Sequence, residues 1–166
     1  MQDAEGTVAD LRTQLKGTLR SRALLMAALL DELEPVLGAE RAEALLTRAM
    51  HSRGQAAGRR FLADCAPADF EWLRERFIDI LPDHGGLFEI ETTRCDAGGL
   101  GLQFRSCPVK EAYEEAGIAP ARMQQLLRIA GGGDVGTFEG AGFAIRNDTW
   151  APGGHGCCHL HIEAKA

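Results

Sequence analysis

The sequence lacks the features that would commit it to a membrane, to nucleic acid or to export. No apolar run approaches the roughly 18–20 residues that a helix needs to cross a bilayer, and the longest run, Ala23 to Leu30, is bounded by Arg22 and Asp31. The formal net charge is −6, which indicates no basic surface for nucleic acid. The acidic N-terminal segment has no apolar core of a signal peptide. We therefore expect a cytoplasmic protein with neither a membrane nor a nucleic acid as partner.

A regular cysteine pattern is also missing. The chain has five cysteines, an odd number, and none of the established zinc spacings such as C-x₂-C matched with H-x₃-H. Without an export signal, we expect thiols or metal ligands rather than a disulfide framework. We find no internal repeat and no low-complexity linker. A length of 166 residues suits one domain, with a helical part over 1–84 and a sheet part over 85–166.

Helical periodicity fills the first half of the chain. Apolar residues recur every three or four positions from Val8 to Leu33, which is typical of an amphipathic helix. Pro35 and Gly38 are expected to end that helix. A second helix is predicted over 39–63, and a third from Pro67 to Pro82.

Two glycines mark the second predicted helix. Gly54 and Gly58 lie four residues apart, so they would share a face and admit the close approach of another backbone. The Leu-rich first helix suits the interface of a homodimer, and equally an intramolecular bundle.

The second half of the chain changes to strand periodicity. Alternating apolar and polar residues flank a turn of Asp and Gly, which predicts a β-hairpin. We expect an α+β fold in which N-terminal helices pack on a small antiparallel sheet of about four strands, with two short helices inserted. The predicted strands cover 88–92, 100–105, 138–148 and 157–163, and the inserted helices cover 108–116 and 120–130, ending at Gly117 and at the glycine run 131–133.

Cys107 is the strongest candidate for chemistry. It follows a predicted strand and precedes Pro108, so it occupies the N-cap position, where helix amides and the helix dipole favour a thiolate. Arg105 adds positive charge on the same side of the strand. A thiolate there is suited to act as a nucleophile or as a metal ligand. The alternative is a small buried residue that caps a helix weakly.

The densest group of potential metal ligands lies in the segment His155 to His161. In a strand, Cys157, His159 and His161 share one face, and Cys158 lies on the other. The first face is suited to a metal or to an acid–base pair, or it is simply the solvated face of a terminal strand.

The strand alternation links this group to Cys107. Cys107 is predicted on the polar face of its strand with Gln103 and Arg105. If the polar faces of the sheet coincide, Cys107 converges with His159, His161 and a glutamate such as Glu91. Cys158 then falls on the apolar side, unless a bulge re-aims it.

Asp134 follows three glycines and is predicted to precede a strand. A carboxylate there is suited to orient a substrate amine or a catalytic group. An ordinary loop aspartate is the alternative.

The segment Phe104-Arg105-Ser106-Cys107-Pro108, followed by Glu111, Tyr113 and Gly117, resembles the L-2-amino-thiazoline-4-carboxylic acid hydrolase family. The family pattern is R-x-C-P opening a short helix that ends in E-x-F/Y-x-x-x-G. A later G-x-x-x-C-x-F element of the family is matched by residues 154–160, although Leu160 stands at the usual aromatic position.

The rest of the resemblance consists of weaker motifs in the right order over about 30–163. It places Cys158 on the family cysteine and Asp134 on the family aspartate. Upstream, residues 37–42 and Arg53-Gly54 are similar to the family's helical G-x-E-x-A and following glycine.

The resemblance implies hydrolytic opening of a C–N bond in a small heterocycle, of thiazoline, cyclic amidine or cyclic amide type. No cofactor is required, and zinc is possible. The implied catalytic residues are Cys107, Cys158, Asp134 and His161; the substrate-binding residues are Arg105, His159 and Glu91; the ligands of a metal would be Cys107, Cys158, His159 and His161.

Two other functions remain open. The C-terminal pattern is similar to 4-vinyl-reductase-type sensor domains, which bind small molecules and hold a structural zinc. Asn147 and Trp150 stand where those domains have an acidic residue and a middle cysteine. A dimeric protein that keeps the fold without activity is the third possibility.

Overall fold

The part of the chain that the structure describes folds into five α-helices and one four-stranded antiparallel sheet, which confirms the predicted α+β class. The computed structural model describes residues 2–66 and 68–165, with side chains from residue 6 onward. The helices are α1 (Gln2–Leu37), α2 (Ala39–Phe61), α3 (Phe70–Ile80), α4 (Pro108–Glu115) and α5 (Pro120–Gly140), and a 3₁₀ turn covers Pro82–Gly85. The strands are β1 (Ile90–Asp96), β2 (Gly99–Phe104), β3 (Phe143–Asp148) and β4 (His159–Ala164).

The sheet has the strand order β1-β2-β4-β3. The predicted hairpin is β1 and β2, and β4 pairs with β2 so that Leu102 lies opposite Leu160 and Leu100 opposite Ile162. These four side chains are buried, and since side chains alternate along a strand they occupy one face of the sheet. That face belongs to the same apolar core as α2, α3 and α5.

Helix α1 ends where the sequence predicts, directly before Gly38. It continues through Pro35 to Leu37, and Gly38 follows with a φ of 81°, in the left-handed region that glycine tolerates. Pro35 lies in the last turn, where it removes the one helical hydrogen bond that an amide at this position would donate to the carbonyl of Asp31. The predicted apolar stripe is buried only from Leu19 onward; Val8 and Leu11, nearer the start of the helix, are 49% and 57% exposed.

Helix α3 begins at Phe70, and the Asp69 carboxylate caps it by accepting a hydrogen bond from the amide of Trp72 at 3.0 Å. The predicted start at Pro67 lies outside the described residues. Within the part of the chain that the structure describes, no helix is long and apolar enough to cross a membrane.

Helix α5 contradicts the prediction of a short helix that ends at the glycine run 131–133. It continues to Gly140, so β3 begins at Phe143 rather than at Phe138. The glycines continue the helix because α2 lies directly against them. A Cβ added at Gly136 would stand 2.0 Å from the carbonyl oxygen of His51, a distance that excludes any side chain.

The contact is reciprocal and confirms the predicted close approach. A Cβ added at Gly54 would stand 2.1 Å from the carbonyl oxygen of Gly133, and one added at Gly58 would stand 1.9 Å from that of Thr137. The backbones of α2 and α5 therefore touch along their crossing, and this fixes the position of every side chain that α5 carries.

Candidate functional site

A cavity of about 180 Å³ lies where the end of β2, the start of α4, the middle of α5 and the bend before β4 meet. Three thiols and one carboxyl line it, and the rest of its wall is apolar. We call it the thiol cavity. Its lining residues are Met50, Leu81, Phe88, Phe104, Cys107, Val109, Leu127, Ala130, Gly131, Asp134, Cys157 and Cys158.

Cys107 occupies the predicted N-cap of α4. Its backbone is extended (φ −152°, ψ 117°), Pro108 follows at the first helical position, and its carbonyl accepts the amide of Glu111 at 3.0 Å. The pKa of the Cys107 thiol is lowered, first by a hydrogen bond from the Cys157 thiol and then by the amides of Lys110 and Val109, while burial opposes this shift. The site thus favours the thiolate at residue 107.

Cys107 lies on the core side of the sheet, which corrects the predicted position on the polar face. Strand β2 ends at Phe104 and the chain bends at Arg105, so the alternation of the strand does not extend to residue 107. Phe104 and Cys107 consequently line the same cavity.

Cys157 and Cys158 are held against β2 just before β4 begins. The amide of Cys157 donates to the carbonyl of Phe104, and the amide of Phe104 donates to the carbonyl of Cys158, both at 2.9 Å. Gly156 has a φ of 72°, so the chain bends before the strand and both thiols enter the cavity, with 3.3 Å between their sulfur atoms. The predicted strand over 157–163 therefore begins at His159.

Asp134 lies inside α5. This corrects the sequence-based prediction, which placed it after the end of a helix and before a strand. Loss of water around its carboxyl raises the pKa to about 7, and the side-chain amide of Asn147 opposes this shift only weakly, from 3.5 Å. The negative charge of Asp134 also acts to raise the pKa of Cys107. The carboxyl and the thiol are therefore electrostatically linked within one cavity.

The imidazoles of His159 and His161 do not join Cys107. They follow the alternation of β4, whose Leu160 and Ile162 are in the core, and so they occupy the opposite face of the sheet. Their rings are 4.0 Å apart. His159 contacts the hydroxyl of Thr93 at 2.9 Å, and His161 contacts the carboxylate of Asp148 at 3.0 Å.

Arg105 and Glu91 form an ion pair with each other, and both side chains are about half exposed. Neither lines the thiol cavity. Among residues 2–66 and 68–165, no three His, Cys, Asp or Glu side chains are grouped so that they could hold a metal ion. The possible ligand set of Cys107, Cys158, His159 and His161 is thus divided between two faces of the sheet.

The sequence does not predict the positions of two residues of the site. It predicts Cys157 on the histidine face, although the glycine before it is a signal that the strand starts later. Asn147 contacts Asp134 from β3, and no local pattern connects these two residues because they meet only through the packing of α5 on the sheet.

Fold and site together define an α+β protein with a pocket of small-molecule size, lined by thiols and one carboxyl. The profile of the L-2-amino-thiazoline-4-carboxylic acid hydrolase family matches residues 18–162, and the chain belongs to this family. The match runs from α1 to β4 and includes every residue of the thiol cavity. No curated protein matches the sequence.

Proposed function

We propose that the protein hydrolyses a C–N bond of a small nitrogen heterocycle, of thiazoline or cyclic amidine or amide type, with Cys107 as the nucleophile. The observation that carries the proposal is the Cys107 thiol, whose pKa is lowered, in one cavity with the Asp134 carboxyl. A thiolate, rather than a thiol, is the reactive species. A volume of about 180 Å³ is small for a binding pocket and suits a single ring with short substituents.

The reaction begins with attack of the Cys107 thiolate on the ring carbon between the two heteroatoms. A proton moves to the ring nitrogen, the C–N bond breaks, and the carbon remains bound to the sulfur of Cys107. Water then adds to this carbon and loses a proton, and the C–S bond to Cys107 breaks to restore the thiolate. The net change is the addition of one water molecule across the C–N bond.

Asp134 is the group that we assign to the proton transfers. A pKa of about 7 leaves both the acid and the carboxylate populated near neutral pH, as a group that first donates and then accepts a proton requires. We assign proton transfer to Asp134 and not to His161, because Asp134 shares the cavity with Cys107 whereas His161 lies on the other face of the sheet.

Cys157 has a supporting part in this proposal. Its pKa is raised because it donates its proton toward the sulfur of Cys107, so it remains a thiol and stabilises the charge of its neighbour. Cys158 is in contact with Cys157 and completes the wall of the cavity.

The test is turnover of L-2-amino-thiazoline-4-carboxylic acid by Cys107→Ser, followed as loss of substrate. We expect kcat/KM to fall by about a thousandfold or more, because a hydroxyl is not ionised at neutral pH. The thermal midpoint should stay within a few degrees of the wild type. Cys65→Ser is the matched control, since this half-buried cysteine lies outside the cavity. An active Cys107→Ser protein would refute the nucleophile.

A further inference from the structure

A second cavity, of about 280 Å³, adjoins the thiol cavity and is formed where α1, α2, α4 and α5 meet. We call it the outer cavity. Both cavities are lined by Met50, Val109 and Ala130, so these three side chains are all that their walls share. The flexible thioether side chain of Met50 can change rotamer at low cost. A ligand that extends past these residues would reach from one cavity into the other.

Of the described residues that line the outer cavity, two are charged, both of them arginines, and the others are apolar or aromatic. Arg22 comes from α1 and Arg53 from α2. Neither guanidinium has an ion pair or a hydrogen bond to any side chain among the residues that the structure describes. By contrast Arg20, one half-turn earlier on α1, pairs with Glu115 of α4.

The two guanidinium groups also repel each other. The pKa of Arg22 is lowered by partial burial and by the positive charge of Arg53. Two like charges beside an apolar wall, with no carboxylate to balance them, favour the binding of an anion. Guanidinium groups match the planar shape of a carboxylate and donate two parallel hydrogen bonds to it.

We propose that Arg22 and Arg53 form a subsite for the carboxylate of the ligand, so that the protein selects acids over the corresponding neutral amides or esters. The carboxylate would lie in the outer cavity while the reactive carbon extends to Cys107. The position of the reactive carbon rests on the proposed function above, but the attraction of the arginine pair for an anion does not.

The experiment measures the alkylation of Cys107 by iodoacetate and by iodoacetamide, at low ionic strength, with mass spectrometry to locate the label. The two reagents differ mainly in charge, so the ratio of their rates reports the field that an anion meets on its way to the thiol. We expect this ratio to fall roughly fivefold or more in the Arg22→Met/Arg53→Met double variant. Methionine keeps the length and apolar contacts of the arginine stem.

Two controls isolate the arginine pair. Arg59→Met removes the charge of an exposed arginine that lies on α2 but outside the outer cavity, and it should leave the ratio unchanged. Arg53→Lys keeps the positive charge, and it should keep the ratio close to that of the wild type. A ratio that is the same in the double variant as in the wild type would overturn the subsite.

Turnover separates this inference from the proposed function. If the wild type fails to open the heterocycle while the alkylation ratio still depends on Arg22 and Arg53, the proposed reaction fails and the anion subsite stands. If the heterocycle is turned over, the double variant should lose kcat/KM for the acid at least tenfold more than for its carboxamide. Equal losses for both compounds would also overturn the subsite.

Discussion

At the scale of single residues, the state of the Cys107 sulfur depends on neighbours that act in opposite directions. The Cys157 thiol and the first amides of α4 stabilise the thiolate, whereas burial and the charge of Asp134 destabilise it. The net effect is a lowered pKa. The lowered pKa of Cys107 is therefore a property of the whole cavity and not of the helix end alone.

The contribution of Cys157 can be tested directly. In Cys157→Ala the hydrogen bond to Cys107 is lost, so the pKa of Cys107 should rise and its alkylation by iodoacetamide should require a higher pH. Cys157→Ser keeps a donor and should retain most of the effect. The measurement is the rate of labelling of Cys107 as a function of pH. An unchanged pH midpoint in Cys157→Ala would show that the α4 amides suffice.

The control for this series is Cys158→Ala. Its thiol contacts Cys157 and not Cys107, so the pH midpoint for Cys107 should move less than in Cys157→Ala. Asp134→Asn provides a second comparison with the opposite sign, because removal of the carboxylate charge should lower the pKa of Cys107.

At the scale of elements, the crossing of α2 and α5 determines where the site residues stand. Helix α5 carries Asp134 one residue after the glycine run, and its neighbours Gly132 and Gly136 lie against the carbonyls of Thr47 and His51. Because helix backbones in contact leave no room for adjustment, the carboxyl is held on the opposite side of α5 from α2, toward β3 and the cavity.

Glycine-to-alanine substitutions in α5 and in α1 should therefore change the free energy of unfolding in opposite directions. Gly136→Ala places its Cβ 2.0 Å from the carbonyl oxygen of His51, and we expect a loss of about 3 kcal/mol or more in the free energy of unfolding. Gly17→Ala is the matched control, since nothing lies within 4 Å of its added Cβ. It should gain about 1 kcal/mol from helix propensity. Urea unfolding of both variants measures the contrast.

The same crossing explains which elements the sequence could predict. The α4 start at Pro108 and the hairpin depend on neighbours in the chain, and both were predicted correctly. The glycine run 131–133 has the local appearance of a helix end, and only the backbone of α2, some 80 residues earlier, makes it helical. Predicting Gly54 and Gly58 as a contact surface was correct, but the sequence does not reveal that their partner is this run.

Only the part of the site that depends on neighbours in the chain could be predicted. The N-cap position of Cys107 follows from Pro108, and Cys157 is adjacent to Cys158 in the sequence. In the C-terminal segment, the thiols lie on the core side of the sheet and the imidazoles on the open side, because the chain bends at Gly156. A Cβ added at Gly156 would stand 2.8 Å from the carbonyl oxygen of Phe104. That contact comes from β2 and is absent from the local pattern.

At the scale of the whole molecule, two carboxyl groups give stability opposite dependences on pH. Glu34 joins α1 to α5 through Arg122 at 2.5 Å, and this hydrogen bond lowers the pKa of Glu34 below its usual 4.5. Its stabilisation is present above that pH and is lost as the pH falls through the lower folded value. The ion pair is partly exposed, so its contribution is modest.

Asp134 acts in the other direction. Its pKa rises from 3.8 to about 7 on folding, so between these values the folded state binds the proton more tightly than the unfolded state does. The free energy of unfolding therefore falls as the pH rises through this window. The groups that face Asp134 are Asn147 and Cys107, and neither supplies a positive charge that would offset the burial of the carboxylate.

We predict that the free energy of unfolding is highest near pH 4, where the two limbs of the profile meet, and that each limb belongs to one carboxyl group. Urea unfolding at fixed ionic strength should show Asp134→Asn close to the wild type near pH 4 but more stable at pH 8, by on the order of 4 kcal/mol. Glu34→Gln should instead flatten the acid limb. The exposed Asp64→Asn serves as the control and should follow the wild type throughout. If the pH profile of the free energy of unfolding had the same shape in Asp134→Asn as in the wild type, the carboxyl of Asp134 would be solvated in the folded wild type. A proton-transfer role near neutral pH would then lose its physical basis.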